Sequence, residues 1–154
     1  MNRSELYQTF VGYFQEGQSV RAAEADVRNL EQSLHISLPQ SYRSFIMGHG
    51  AIKTPSIFTL AFDSESELKD VLEIIPFIEV AKFAHQPTPG GMPEGLLVYA
   101  NDSLGNLFCF KRSLMAAPSD DSGVWFFDHE YCKTKKLFDS FDSWLTEYLK
   151  LKSQ

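Results

Sequence analysis

Short apolar runs alternate with polar breaks along this chain, and the sharpest example lies between Gly95 and Phe110. There GLLVYANDSLGNLFCF sets Leu96, Leu97, Val98 and Tyr99 against Leu107, Phe108 and Phe110, residue types suited to a pleated, half-buried surface. The intervening Asn101-Asp102-Ser103-Leu104-Gly105-Asn106 supplies side chains that bond back to their own backbone, and one residue free to take positive φ. This predicts a β-hairpin whose loop is too long for a two-residue turn. A third run, Val124-Trp125-Phe126-Phe127, follows the polar break from Pro118 to Gly123, so a three-stranded antiparallel meander is expected.

Helical spacing dominates both ends. Leu6, Phe10 and Phe14 recur every four residues, with Ser4 able to cap, and Gly17 marks the end of that helix. From about Val20 to Leu34, Ala23, Val27, Leu30 and Leu34 form one stripe against Arg21, Glu24, Arg28 and Glu31, with Glu24 and Arg28 at pairing distance. Pro39 suits the first turn of a third helix carrying Tyr42, Phe45 and Ile46, which Gly48-His49-Gly50 stops. Leu137, Phe141, Trp144, Leu145, Tyr148 and Leu149 define a final helix, capped by Asp139 or Ser140, with Lys133 to Lys136 leading into it. Between these, Ile57 to Phe62 reads as a strand. Ser64 and Glu67 have capping-box spacing ahead of a fourth helix bearing Leu68, Val71, Leu72 and Ile75, which Pro76 closes. Phe77 to Glu94, with Pro87, Pro89, Pro93 and Gly90-Gly91, shows no period and is expected to be a surface connection.

Length and composition then narrow the class. The 154 residues fit one domain over 1–154 with one core, and 13 Phe, 6 Tyr and 2 Trp make that core aromatic. The expected class is α+β: a single domain whose antiparallel sheet meander is covered by N- and C-terminal helices. A net charge of −6, from 20 acidic and 14 basic residues without a basic stripe, argues against direct nucleic-acid binding and for a basic partner. The aromatic strands could stack bases on an open sheet, but the acidic surroundings favour a buried face. No apolar stretch is long enough for a membrane span, and MNRSELYQTF carries no signal-peptide core, so a soluble cytoplasmic protein is expected. Cys109 and Cys132 are read as buried free thiols.

Catalytic signatures are scarce. The chain contains no GxxxxGK[ST], GxSxG, HExxH or CxxC. His129 and Cys132, with Asp128 and Glu130 beside them, form the best metal or acid/base cluster, but one His and one Cys without a second pair read better as a polar strand end. His49 between two glycines reads as a turn residue for the same reason. No cofactor, no metal and no enzymatic activity are expected.

The ordered set of patterns resembles the SMI1/KNR4 family, also called the SUKH superfamily. Glu31 followed by Leu38-Pro39-x-x-Tyr42-x-x-Phe45 and a glycine stop is similar to the family's opening helices. Gly95 to Asp102, then Gly105 and Leu107 to Phe110, is similar to its central hairpin. Val124 to Glu130 and Ser140-Phe141-x-x-Trp144-Leu145 resemble its next strand and last helix. The resemblance implies an α+β domain and, for many bacterial members, an immunity protein that binds and neutralises a toxin domain, often a nuclease; fungal relatives act in cell-wall and signalling regulation. The expected partner is therefore a cognate toxin with a basic active-site cleft, met by carboxylates on loops around the meander: Asp102, Asp120, Asp121, Asp128 and Glu130. The alternatives are an intracellular regulatory or scaffold adaptor, and a small enzyme or metal-binding protein using His129, Cys132 and Asp128.

Overall fold

The two runs flanking the polar break are neighbouring antiparallel strands, β4 (Leu96–Asn101) and β5 (Leu107–Lys111), in register from Leu96 opposite Lys111 to Asn101 opposite Leu107. A bulge between Val98 and Ala100 interrupts the ladder. A computed structural model describes residues 1–63, 68–120 and 122–152. Within them the third expected strand, β6 (Val124–Asp128), pairs with β5. The sheet does not stop at three strands. β1 (Glu16–Val20), β2 (Ala51–Lys53) and β3 (Glu73–Ile74) precede β4, and β7 (Lys133–Phe138) follows β6, giving a seven-stranded antiparallel meander in chain order.

One face of this sheet carries an aromatic core. Tyr99 of β4 stacks on Phe110 of β5 with ring centres 4.2 Å apart. Against them lie Tyr42 from α3 (Gln40–Gly48) and Phe141 and Trp144 from α6 (Phe141–Lys152), with Phe45 of α3 packed on Phe141. Trp144 packs its edge on Tyr99 at 5.4 Å and lies 5.1 Å from Phe108. It is wholly buried. Truncating it to alanine would cost about 3–5 kcal/mol through lost apolar burial and the cavity left behind. α1 (Arg3–Phe14) closes this layer, with Tyr7 edge-on to Phe45 and in contact with Phe141. Helices from both ends of the chain thus meet over one sheet, and α1 touches α6 directly.

Polar contacts fix that meeting. Arg3 pairs with Asp142 of α6 and with Asp120, both at 2.8 Å, while Asp120 Oδ1 accepts from the Ser41 N–H at the start of α3. Asn2, not Ser4, caps α1 by accepting from the Glu5 N–H, and Ser140 caps α6 through the Ser143 N–H. The Glu24–Arg28 pair forms on α2 (Glu24–Leu34), which begins four residues later than its stripe suggests because Glu16–Val20 are drawn into the sheet edge.

The middle of the chain departs most from the sequence reading. Ile57 to Phe62 are helical, within α4 (Ser56–Asp63), where Ile57 and Ala61 are buried four residues apart and Phe58 and Phe62 face solvent. A six-residue apolar run has no period that separates a strand from a buried helix. The helix expected from Leu68 to Ile75 is extended chain: the Leu72 and Ile75 N–H groups donate to Asn101 and Tyr99 carbonyls, completing the edge of β4. Its proposed cap, Ser64 with Glu67, lies outside the described residues. Pro76 opens a helix instead of closing one. α5 (Phe77–Ala84) starts directly after it, burying Phe77 and Val80. Lys133 to Lys136 extend β7 and do not lead into a helix. Charged residues there protect the sheet edge from pairing with another chain.

Candidate protein-binding rim

In a meander, successive loops alternate between the two ends of the sheet. The β4–β5 loop and the β6–β7 turn therefore share one end, and the β5–β6 connection lies at the other. This parity divides the expected carboxylates. Asp102, Asp128 and Glu130 come together at one end, whereas Asp120 is at the opposite end in the Arg3 and Ser41 network, and Asp121 lies outside the described residues.

The shared end is built on Asp102. Its Oδ1 accepts from the Leu104 and Asn106 N–H groups at 2.9 and 2.7 Å, and its Oδ2 accepts from Asn106 Nδ2 at 2.9 Å. Only 5% of Asp102 is exposed. The expectation of a free carboxylate at this position is corrected by these bonds: a short acidic side chain beside turn N–H groups is consumed in folding the loop. Asn106 continues the chain of bonds, its Oδ1 accepting from the His129 N–H at 3.1 Å and lying 2.7 Å from His129 Nδ1. Because that oxygen is an acceptor, Nδ1 carries a proton in this contact. Gly105, at φ +87, lies against this ring: an added Cβ would sit 3.3 Å from His129 Cε1.

Asp128 organises the second loop in the same way, its Oδ1 accepting from the Glu130 and Tyr131 N–H groups. Asp70, three residues ahead of β3, reaches in to accept from the Ser103 N–H at 2.9 Å. Cys132, at φ 53, is exposed and not buried as expected, and its Sγ contacts the His129 carbonyl at 3.7 Å. His129 is thus engaged by the facing loop and Cys132 by its own, and among the described residues no group of three or more His, Cys, Asp or Glu side chains could hold a metal ion.

Two cross-locked loops consequently present two exposed apolar side chains, Leu104 at 69% and Tyr131 at 67% exposure, beside the carboxylates of Asp70, Asp128 and Glu130. Large side chains held in water on fixed backbone, with charge around them, have the anatomy of an interface centre and its polar surround. Neither Leu104 nor Tyr131 was singled out from the sequence. The available signal was a bulky apolar residue inside a polar turn, in NDSLGN and in DHEYCK.

At the far end Asp120 is held by folding contacts. Burial pushes its carboxyl up, but the hydrogen bonds from Arg3 and Ser41 outweigh that and keep it below the ordinary carboxylate range. No helix among the described residues is long and apolar enough to cross a membrane. A search of curated proteins finds no match to the chain. The profile of the SMI1 / KNR4 family (SUKH-1) matches residues 21–147, a span running from just before α2 into α6 and including the whole rim. With the hairpin, the helix pair and the ordered strands all in place over that span, the chain belongs to the SMI1/KNR4 (SUKH-1) family.

Proposed function

We propose that this chain is an immunity-type protein that binds a cognate toxin, often a nuclease in this family, and occludes it without catalysing a reaction. The observation that carries the reading is the rim: Leu104 and Tyr131 exposed on two loops that Asn106 ties together, with Asp70, Asp128 and Glu130 around them. Preorganised loops lose little conformational entropy on binding, so their apolar side chains contribute more fully to affinity. Carboxylates at the edge would steer the rim toward a basic cleft of the kind a nuclease uses to hold phosphates.

The test is coexpression with candidate nuclease-toxin domains, reading growth rescue and, for a purified pair, affinity by calorimetry. Leu104→Ser, Tyr131→Ala and Glu130→Lys change side chains that fold no loop, so thermal midpoints should hold within about 2 °C. Tyr131→Ala should weaken binding by roughly thirtyfold or more, as truncation of a central interface tyrosine does. Rescue by the triple variant at wild-type level would remove the rim from the proposal. Absence of any protection by the wild-type chain would remove the toxin.

A further inference from the structure

Behind the rim the second face of the sheet is crossed by residues 85–95, the proline- and glycine-rich stretch. Met92 packs on the core there, and Gly91 lies so close to Cys132 that an added Cβ would meet Sγ at 2.5 Å. Between this segment, α5 and β4–β5 a hollow of about 220 Å³ remains, walled by Phe83, Met92, Leu96, Val98 and Leu107. One cation, Arg112, lines it.

Arg112 is held in place but not neutralised. Its Nη2 donates to the Ala84 carbonyl at the end of α5 (3.0 Å), and its own N–H donates to Gly95, fixing the guanidinium at the wall. Nε is buried without a hydrogen-bond partner, and among the described residues no carboxylate pairs with it. A guanidinium without a counter-ion beside apolar walls matches one kind of ligand: a carboxylate on a short hydrocarbon body, met through the Nη side because Nε is closed off from the hollow. The volume suits it. A cavity of ~150 Å³ takes benzene, so this one accommodates about nine non-hydrogen atoms. Glu94, also on the lining, repels any anion, so the ligand carries one carboxylate at most and binds through Arg112.

We propose that this hollow binds a small monocarboxylate, aromatic or branched aliphatic, with its carboxylate on Arg112 and its body against Phe83, Met92, Leu96, Val98 and Leu107. The site is separate from the rim and does not depend on a toxin partner. Phenylacetate, hexanoate and the uncharged phenylacetamide are the probes, titrated into the full chain by calorimetry and followed by thermal shift at pH 7. Both acids should bind saturably with Kd on the order of 0.1–1 mM, a range set by ligands of this size. Phenylacetamide should bind at least about tenfold more weakly, and Arg112→Gln should weaken the acids by a similar factor. Met92→Trp, on the half-exposed crossing segment, should fill the hollow and abolish binding while leaving the fold intact. The proposal is overturned by no saturable binding of either acid up to about ten times that range. Equal affinity for the amide, or unchanged affinity in folded Arg112→Gln, overturns it as well.

Discussion

Asn106 holds His129 twice across the gap between two loops, through the backbone N–H at 3.1 Å and at the ring Nδ1 at 2.7 Å, while its amide nitrogen donates to the buried Asp102 carboxylate. All three contacts converge on one short side chain, so the β4–β5 loop and the β6–β7 turn move as a unit. Asn106→Ala leaves Asp102 short of a donor and frees the turn. A loss of about 1–3 kcal/mol is expected, read as a fall of about 5 °C in thermal midpoint for a chain of this size. Asn106→Asp should be worse at neutral pH, because it sets a second carboxylate against Asp102, and should recover on acidification.

Three core tyrosines separate the value of a hydroxyl from that of its ring. The hydroxyls of Tyr42 and Tyr99 are buried without a partner, whereas that of Tyr148 donates to the Lys69 carbonyl at 2.6 Å and accepts from Trp144 Nε1 at 3.1 Å. Tyr42→Phe and Tyr99→Phe remove an unsatisfied polar atom and keep the stack. Each should leave stability unchanged or raise it by up to about 1 kcal/mol. Tyr148→Phe strips two bonds and orphans the buried Trp144 Nε1–H, so a loss of about 1–3 kcal/mol is expected. Urea unfolding of the three single variants gives the comparison, and a destabilised Tyr99→Phe would show that its hydroxyl has a partner in solution.

These contrasts also explain what could be read ahead of the structure. The helix carrying Trp144 and the hairpin carrying Tyr99 announce themselves by period, because each buries a long stripe or a continuous run. β3 has two residues and β2 three, too few for any period, and they are strands only because the exposed edge of β4 needs partners. Local pattern is silent about pairing between residues 52 and 74, or 74 and 100. The rim was half legible. Turn composition located its loops, and meander parity alone would have set Asp102, Asp128 and Glu130 apart from Asp120. Which carboxylate the fold consumes depends on N–H groups brought in by the loop itself, and Asp102 illustrates that.

The two thiols should differ sharply in reactivity. Cys109 is sealed on the covered side of β5, where burial pushes its thiol well up, while Cys132 stands exposed at the turn. A disulfide-exchange reagent should therefore modify one thiol per native chain promptly, and the second only as the chain unfolds, at least about a thousandfold more slowly. Cys132→Ser should abolish the fast phase entirely. A second fast thiol would mean that the sheet face over Cys109 opens readily.

Acid sensitivity should be concentrated where the two chain ends meet. In the folded chain Asp120 is opposed by burial, but it is held ionised by Arg3 and by the Ser41 N–H, so its carboxyl titrates below its ordinary value of 3.8. The unfolded chain, with Asp120 at that ordinary value, takes up the proton first as pH falls. Stability from this group is thus complete above about pH 4 and is lost as pH drops through the lower folded value. Asp120→Asn removes the charge at every pH. At pH 7 it should cost roughly 1 kcal/mol, a modest figure because about a third of the side chain remains in water. Below pH 4 the gap between variant and parent should narrow, and it closes only once pH has fallen through the lower folded value and the parent carries a neutral group at the same place. Urea midpoints measured from pH 7 down to pH 3 test this directly. A gap that stays constant over the whole range would mean that Asp120 contributes through its shape and its neutral hydrogen bonds, and that the charge on Arg3 is satisfied by Asp142 alone.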